Sequence, residues 1–239
     1  MEPYSPFYEK CLKSLKKSPI FKGLKNDLLQ SLLKEFNLIT WKKNSCISYE
    51  RNLKYFHIII SGRVTISKMN PKSGKSITLF LLTSGDVFDL ITLLEGKEHD
   101  VLIQTLDDVE ILETKVEKMR EWMLKHPEIN KNFYPYLGKM MSKLEELSGD
   151  LALVDTSVRL GKLILNYVNE KCKDKNGHYK VDLIHDLSNE KLAQMIGTVR
   201  NVLNRHIQKM KDENIIHFKR GYISIKDIEA LKKKCEEFI

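Results

Sequence analysis

Between residues 44 and 115 the chain breaks into short β-branched and aromatic runs, and this texture restricts the possible folds more than any other feature. The runs are NSCISYE, YFHIIISGRVTISKM, KSITLFLLTSG, HDVLIQTL and VEILETKV. Turn signals separate them at Asn70-Pro71, Ser73-Gly74, Gly85-Asp86, Gly96 and Asp107-Asp108. Many short strands with frequent turns predict an antiparallel barrel or sandwich, with a tight turn or bulge at Ser61-Gly62. Helical spacing flanks the region. GLKNDLLQSLLKEF places Leu24, Leu28, Leu29, Leu32, Leu33 and Phe36 at helical intervals, with Asn26 as the expected cap. After residue 115 the pattern is helical again.

A second pattern sits in that later helical part. Apolar residues recur at Phe133, Leu137, Met140, Leu144, Leu147, Leu151, Val154 and Val158, in steps alternating four and three. A seam this narrow suits a coiled coil better than a broad core face. Leu137, Met140, Leu144, Leu147, Leu151 and Val154 are therefore expected to pair with a second copy in a parallel dimer. Pro135 predicts a kink or a delayed helix start. VDTS at 154–157 breaks the pattern, and Asp155 or Thr156 can cap the next helix. Val158, Leu160, Leu163, Ile164, Tyr167 and Val168 predict that helix to end near Lys171, before the polar loop CKDKNGH and a short strand or hairpin arm in YKVDLIHDLS. The expected division is a β domain with N-terminal helices over 1–125, a dimerisation helix over 126–154 and a third domain over 155–239.

Charge concentrates in the third domain. Residues 156–239 carry 17 Lys+Arg against 11 Asp+Glu, a net of +6 out of +8 for the chain, so an anionic partner is expected there. No apolar run approaches the roughly 18 residues that cross a bilayer, and MEPYSPFYEKCLKSLKKSP has no signal-peptide apolar core, so a cytoplasmic protein without membrane partners is expected. Cys11, Cys46, Cys172 and Cys235 are scattered with no CxxC, so no metal site is expected. P-loop, HExxH, GxSxG and dinucleotide fingerprints are absent, which argues against an enzyme.

The basic segment contains LSNEKLAQMIGTVRNVLNRHIQKMKDENIIHFKRGYISI. Ser188 can cap a first helix, with Glu190 in its positive first turn; Lys191 prevents a full capping box. Ala193, Gly197 and Leu203 have helix-turn-helix spacing: the small residue lets the second helix approach, the glycine takes the turn and the leucine locks the helices together. IIHF, KRG and YISI then make a two-stranded wing with a basic tip. In such a unit the second helix enters the major groove. Arg200, Asn201, Asn204 and Arg205 are the base-edge candidates, Arg for guanine and Asn for adenine. Ser188, Thr198, Lys219 and Arg220 are the phosphate candidates. Val199 stands at the helix start, where Thr198 can take over the cap.

In this order of elements, with SGRV and SGDVF in the roll and DTSVRL at the hinge, the chain resembles the Crp/Fnr family of transcription regulators. The resemblance implies an α+β fold: a cyclic-nucleotide-binding-like antiparallel β-roll, a long coiled-coil dimerisation helix and a C-terminal winged helix-turn-helix. It also implies a homodimer on a pseudo-palindromic promoter site, with RNA polymerase as a partner and an effector in the roll. Against the cyclic-AMP receptor's phosphate cassette, the ribose-binding Glu falls at Leu90 and the Arg-Ser pair at Asp100-Val101. An aspartate facing a cyclic phosphate is repulsive, so no cyclic-nucleotide response of the usual kind is expected. The haem ligands of the family's carbon-monoxide sensor fall at Asp89 and Ile91. No cofactor is therefore expected, with haem ligation through His57, His99 or a methionine as the alternative. A ligand-binding dimer that does not bind DNA is the other alternative. Many members carry Glu where Asn201 stands, and Gly or Ser at 204, so the preferred half-site is expected to differ from the common TGTGA, with an adenine gained.

Overall fold

A computed structural model describes residues 5–236 apart from Asp89, Glu98 and Arg220, with the side chain of Tyr49 also left undescribed. Two helices, α1 (Tyr8–Lys17) and α2 (Asn26–Lys34), precede β1 (Asn37–Trp41), β2 (Cys46–Ile47) and the short α3 (Tyr49–Lys54). Next come β3 (Tyr55–Ser61), β4 (Val64–Met69), β5 (Ser76–Leu82), β6 (Val87–Phe88), α4 (Leu90–Glu95), β7 (Leu102–Thr105) and β8 (Val109–Lys115). Helix α5 (Val116–Lys125) and a 3-10 turn (Pro127–Ile129) lead into the long α6 (Asn130–Leu153). The remainder is α7 (Thr156–Asn166), β9 (Val168–Lys173), β10 (Tyr179–Val181), α8 (Asn189–Met195), α9 (Arg200–Asp212), β11 (Ile216–Lys219), β12 (Tyr222–Ile225) and α10 (Ile228–Glu236).

The chain forms two compact units. One comprises residues up to Met69 together with Leu79–Lys143, and the other Asn70–Thr78 together with Leu144–Ile239. The β-roll, long helix and C-terminal helix-turn-helix expected from the sequence are all present. The roll is built from two four-stranded sheets, ordered β1-β8-β3-β6 and β2-β7-β4-β5.

Strand β3 explains how the first unit is filled. Successive side chains of a strand point to opposite faces, and FHIII is buried on both. Phe56, Ile58 and Ile60 enter a core with Trp122 and Phe133 of the surrounding helices and with Phe21 and Phe36 of the loops beside α2. Ile59 enters a second core inside the roll with Val64, Ile66, Phe88 and Ile111. Each such side chain contributes roughly 1.5–3 kcal/mol by burial. The expected turn after β3 is present: Gly62 has φ +89°, and a Cβ there would lie 2.8 Å from the Asp108 carbonyl oxygen.

Several local expectations need correction. Asn26 lies inside α2; extended Lys25 takes the cap position without a side-chain bond, while the Asp27 carboxylate accepts from the Leu28 amide at 3.0 Å. Pro135 does not delay α6, which begins at Asn130, and Phe133 and Tyr136 on its first turns are anchored in the core. Phe133 is therefore not on an open seam, and Leu137 and Met140 are half-buried against the same core. Helix α6 stops at Leu153, so Val154 falls in the break, and Val158 is buried on α7. Helix α7 ends at Asn166 rather than near Lys171. Val168 and Asn169 instead pair with Val181 and Lys180 across a strand ladder, which outcompetes continued helix.

At the break, Asp155 occupies the N-cap of α7 without a side-chain bond. Arg159 supplies the contacts instead. Its Nη1 donates to the carbonyls of Val154 at 2.6 Å and Asp150 at 3.2 Å, and its Nε donates to the Ile196 carbonyl at 2.9 Å. The last carbonyls of a helix have no intrahelical donor, and a guanidinium satisfies them well. Lys162 adds an ion pair to Asp150 at 2.6 Å.

Candidate nucleic-acid interface

The helix-turn-helix starts from a true cap: the Ser188 hydroxyl accepts from the Lys191 amide at 3.2 Å. Helix α8 follows and ends at the turn Ile196–Gly197–Thr198, where the Thr198 amide donates to the Ala193 carbonyl at 2.9 Å. Gly197 has φ +63°, a left-handed conformation that suits glycine, and a Cβ there would run into the Leu151 side chain. Ala193 and Leu203 are fully buried between the two helices.

Helix α9 then presents a polar face. Thr198 does not cap it; the N-cap is Val199, half-exposed and with no acceptor to offer. The first amides of α9 thus have no side-chain cap, an arrangement suited to an anion. Arg200, Asn201 and Arg205 are exposed, and their side chains make no hydrogen bond or ion pair among the described residues. Asn204 differs. It is half-buried, and its Oδ1 accepts from Asn189 Nδ2 at 2.6 Å. Asn189 went unnoticed in the sequence, where the only pointer was its place beside the Ser188 cap. His206 lies next to Arg205. Its pKa is held below the ordinary value by burial and then by the charges of Arg205, Lys209 and Lys234.

The wing is the hairpin of β11 and β12, extended by β10 and β9 into one sheet. Lys219 is exposed at its tip, and Arg220 lies outside the described residues. A cleft of about 770 Å³ runs between the α8 start, Arg200 and the wing residues Phe218 and Gly221; Asp186 and Glu190 also line it. Ser188, Arg200 and the wing thus meet in one place.

In the roll, His57 and Glu113 stand opposite each other across β3 and β8. His57 is fully buried, its ring stacked on Phe88 at 4.7 Å between centroids. Its Nε2 lies 3.0 Å from Glu113 Oε2. Arg51 completes the group, donating to Glu113 from Nε at 2.8 Å and Nη2 at 2.7 Å. Burial pushes the Glu113 carboxyl up, but the hydrogen bonds and charges of His57 and Arg51 outweigh it and hold the pKa below the ordinary range. Arg63 and Asp107 form a bidentate pair, both bonds 2.7 Å.

These two sites fall in two separately matching regions. Residues 38–126 match the cyclic nucleotide-binding domain, and residues 158–234 match the Crp-like helix-turn-helix domain. The chain belongs to the Crp/Fnr family of transcription regulators. Over 222 residues it is 22% identical to the CRP-like cAMP-activated global transcriptional regulator of Mycobacterium tuberculosis, covering 92% of this chain and 98% of that one. It is 23% identical over 180 residues to the global nitrogen regulator of Synechocystis sp., covering 74% and 79%. Among solved structures, a CooA mutant from Carboxydothermus hydrogenoformans matches with a TM-score of 0.71 at 23% identity, over 86% of this chain and 90% of that one. The c-di-GMP responsive global regulator CLP of Xanthomonas campestris matches at 0.72 and 15% identity, over 84% and 99%. These structural likenesses carry the fold.

Within this Crp/Fnr-family chain, the three expected cassette positions carry two packed apolar residues and one exposed carboxylate. Leu90 packs against the helical core, and Val101 against the core of the roll. Asp100 is exposed, its carboxylate 3.5 Å from Lys68. Arg120 closes the end of α4, donating to the carbonyls of Leu93 at 2.6 Å and Thr92 at 2.8 Å. Ile91 is exposed on α4, and Asp89 lies outside the described residues. His57, the first haem candidate, is committed to Glu113 and Phe88. His99 is half-buried.

Proposed function

We propose that this Crp/Fnr-family regulator acts as a homodimer that reads a pseudo-palindromic duplex site. Arg200, Asn201, Asn204 and Arg205 are the groove-facing set, and Ser188, Thr198, Lys219 and Arg220 the backbone-facing set. The observation that carries the reading is the polar face of α9, where exposed Arg200, Asn201 and Arg205 have no side-chain partner among the described residues, behind an uncapped N-terminus. Pairing along Leu137, Met140, Leu144, Leu147 and Leu151, with Val154 at its end, supplies the second half-site reader. Leu144 and Leu147 are half-exposed and Leu151 is 37% exposed in the single chain, which leaves apolar surface for a partner helix. The division into a sensor over 1–125, a dimer helix over 126–154 and a DNA-binding domain from 155 belongs to this reading, as do a cytoplasmic location and RNA polymerase as a partner.

The roll is proposed to take no cyclic nucleotide in the manner of its cAMP-activated relatives. Its cassette positions carry two apolar residues and an exposed carboxylate, none of which donates to a phosphate. Binding selection on random duplexes tests the first part. Arg200→Ala should relax preference at one base pair, whereas Lys219→Ala should weaken all duplexes alike and lower the salt slope by about 1. Equal behaviour of the two variants refutes the assignment. Calorimetric titration with cyclic AMP tests the second part, and saturable binding that alters DNA affinity refutes it.

A further inference from the structure

Three of the four polar residues on the α9 face are unpartnered among the described residues; the fourth, Asn204, is held. Its Oδ1 accepts from Nδ2 of Asn189, 2.6 Å away and 15 residues earlier. Asn189 is the first residue of α8, placed by the Ser188 cap. The bond turns the oxygen edge of the Asn204 amide toward α8 and leaves its N–H edge for the groove.

Amide chemistry then sets which base Asn204 can read. A free asparagine offers a donor and an acceptor side by side and matches adenine, which has an N6–H donor beside an N7 acceptor. An amide that presents only N–H groups matches acceptors: O6 and N7 of guanine, or O4 of thymine. Against the amino groups of adenine or cytosine it sets donor against donor.

We propose that Asn189 is a positioning residue that makes Asn204 a donor-only reader, selecting guanine or thymine over adenine at one position in each half-site. The proposal rests on the DNA-reading role given above, and it reverses the base expected from residue type alone.

The full chain and its Asn204→Ala, Asn189→Ala and Asn189→Asp variants are each taken through binding selection on a random duplex pool. Asn204→Ala identifies the position that residue 204 reads. There the unsubstituted protein should favour guanine or thymine over adenine by about fivefold to tenfold, near the low end of a good base contact. Asn189→Ala frees the amide, and the preference should move to adenine. Asn189→Asp has only acceptors, so it should draw the Asn204 N–H edge inward, expose Oδ1 and turn the preference to adenine or cytosine. An aspartate in the first turn of a helix is favourable, so this variant keeps the fold. The preference set by Arg200 should persist in every variant, which verifies docking. Adenine favoured by the unsubstituted protein, a profile that neither Asn189 variant changes, or no position that responds to Asn204→Ala overturns the proposal. Absence of any preferred sequence in the unsubstituted protein overturns the DNA-reading role itself, and this proposal with it.

Discussion

Removing Glu113 should uncouple a buried polar group of the roll. The carboxylate side chain is 7% exposed and accepts three charge-assisted bonds, two from Arg51 and one from His57. Breaking a buried pair by deleting one partner costs roughly 3–5 kcal/mol. Arg51 is 41% exposed and regains water when released, so its share is screened. His57 is fully buried and does not. Glu113→Ala should therefore cost about 2–3 kcal/mol. Arg51→Ala alone should cost about 1 kcal/mol, and the double variant no more than Glu113→Ala, because Arg51 then has no carboxylate to meet. Urea unfolding followed by Trp41 fluorescence reads this directly, since the Trp41 ring lies 5.2 Å from the His57 ring. With a slope of about 2 kcal/mol/M, the midpoint should fall by about 1 M. A fall below about 0.4 M, or strict additivity of the two substitutions, would refute the argument. The pH dependence carries a sign as well. The Glu113 pKa is depressed from 4.5, so its contribution is complete above about pH 4.5 and fades as the pH falls through the folded value. The gap between the unsubstituted protein and Glu113→Ala should close in acid.

Other outcomes concern single positions. Gly62→Ala should destabilise the roll by about 2 kcal/mol in the same assay: a side chain at φ +89° is strained, and the obstructing Asp108 oxygen belongs to the backbone. Cys46 and Cys172 are exposed whereas Cys11 and Cys235 are buried. Burial pushes the Cys11 thiol up to about 11, so a thiol reagent should titrate two cysteines quickly in the native protein and four in denaturant. Tyr222 donates to Asp174 at 2.7 Å. With that bond and those of the His178 and Asn176 amides, the carboxyl is held down to about 2. Tyr222→Phe should return it toward 3.8, read by carbon-13 NMR titration, and an unmoved value would refute the cause assigned.

The parts of this fold legible in the sequence are those whose signal is local and periodic. The roll announces itself by β-branched runs between turn residues, and the helix-turn-helix by Ala193, Gly197 and Leu203. Helix α1 is harder to see because its apolar stripe, Tyr8, Cys11, Leu12 and Leu15, is dispersed among lysines. Helices α3 and α4 are six residues each, too short to stand by propensity. They persist through distant contacts, Arg51 to Glu113 and Arg120 to the carbonyls of Thr92 and Leu93. Strand β9 continues the helical period of α7 through Tyr167 and Val168, and only its ladder with β10 decides against helix. The binding face divides in the same way. Residue type and spacing pick out Arg200, Asn201, Asn204 and Arg205, but the tie between Asn204 and Asn189 depends on how two helices cross.

The guanidinium of Arg159 gives the break at Val154–Asp155 a mechanical character. One planar group bridges the end of α6, the break itself and the carbonyl of Ile196 beside the Gly197 turn. A small rotation of α7 cannot lengthen one of these bonds without tilting the plane against the others. A rotation of α7 that strains one of these bonds therefore strains the others as well. A lysine at 159, with one rotatable point charge in place of a rigid fork, would leave a looser hinge with the same net charge.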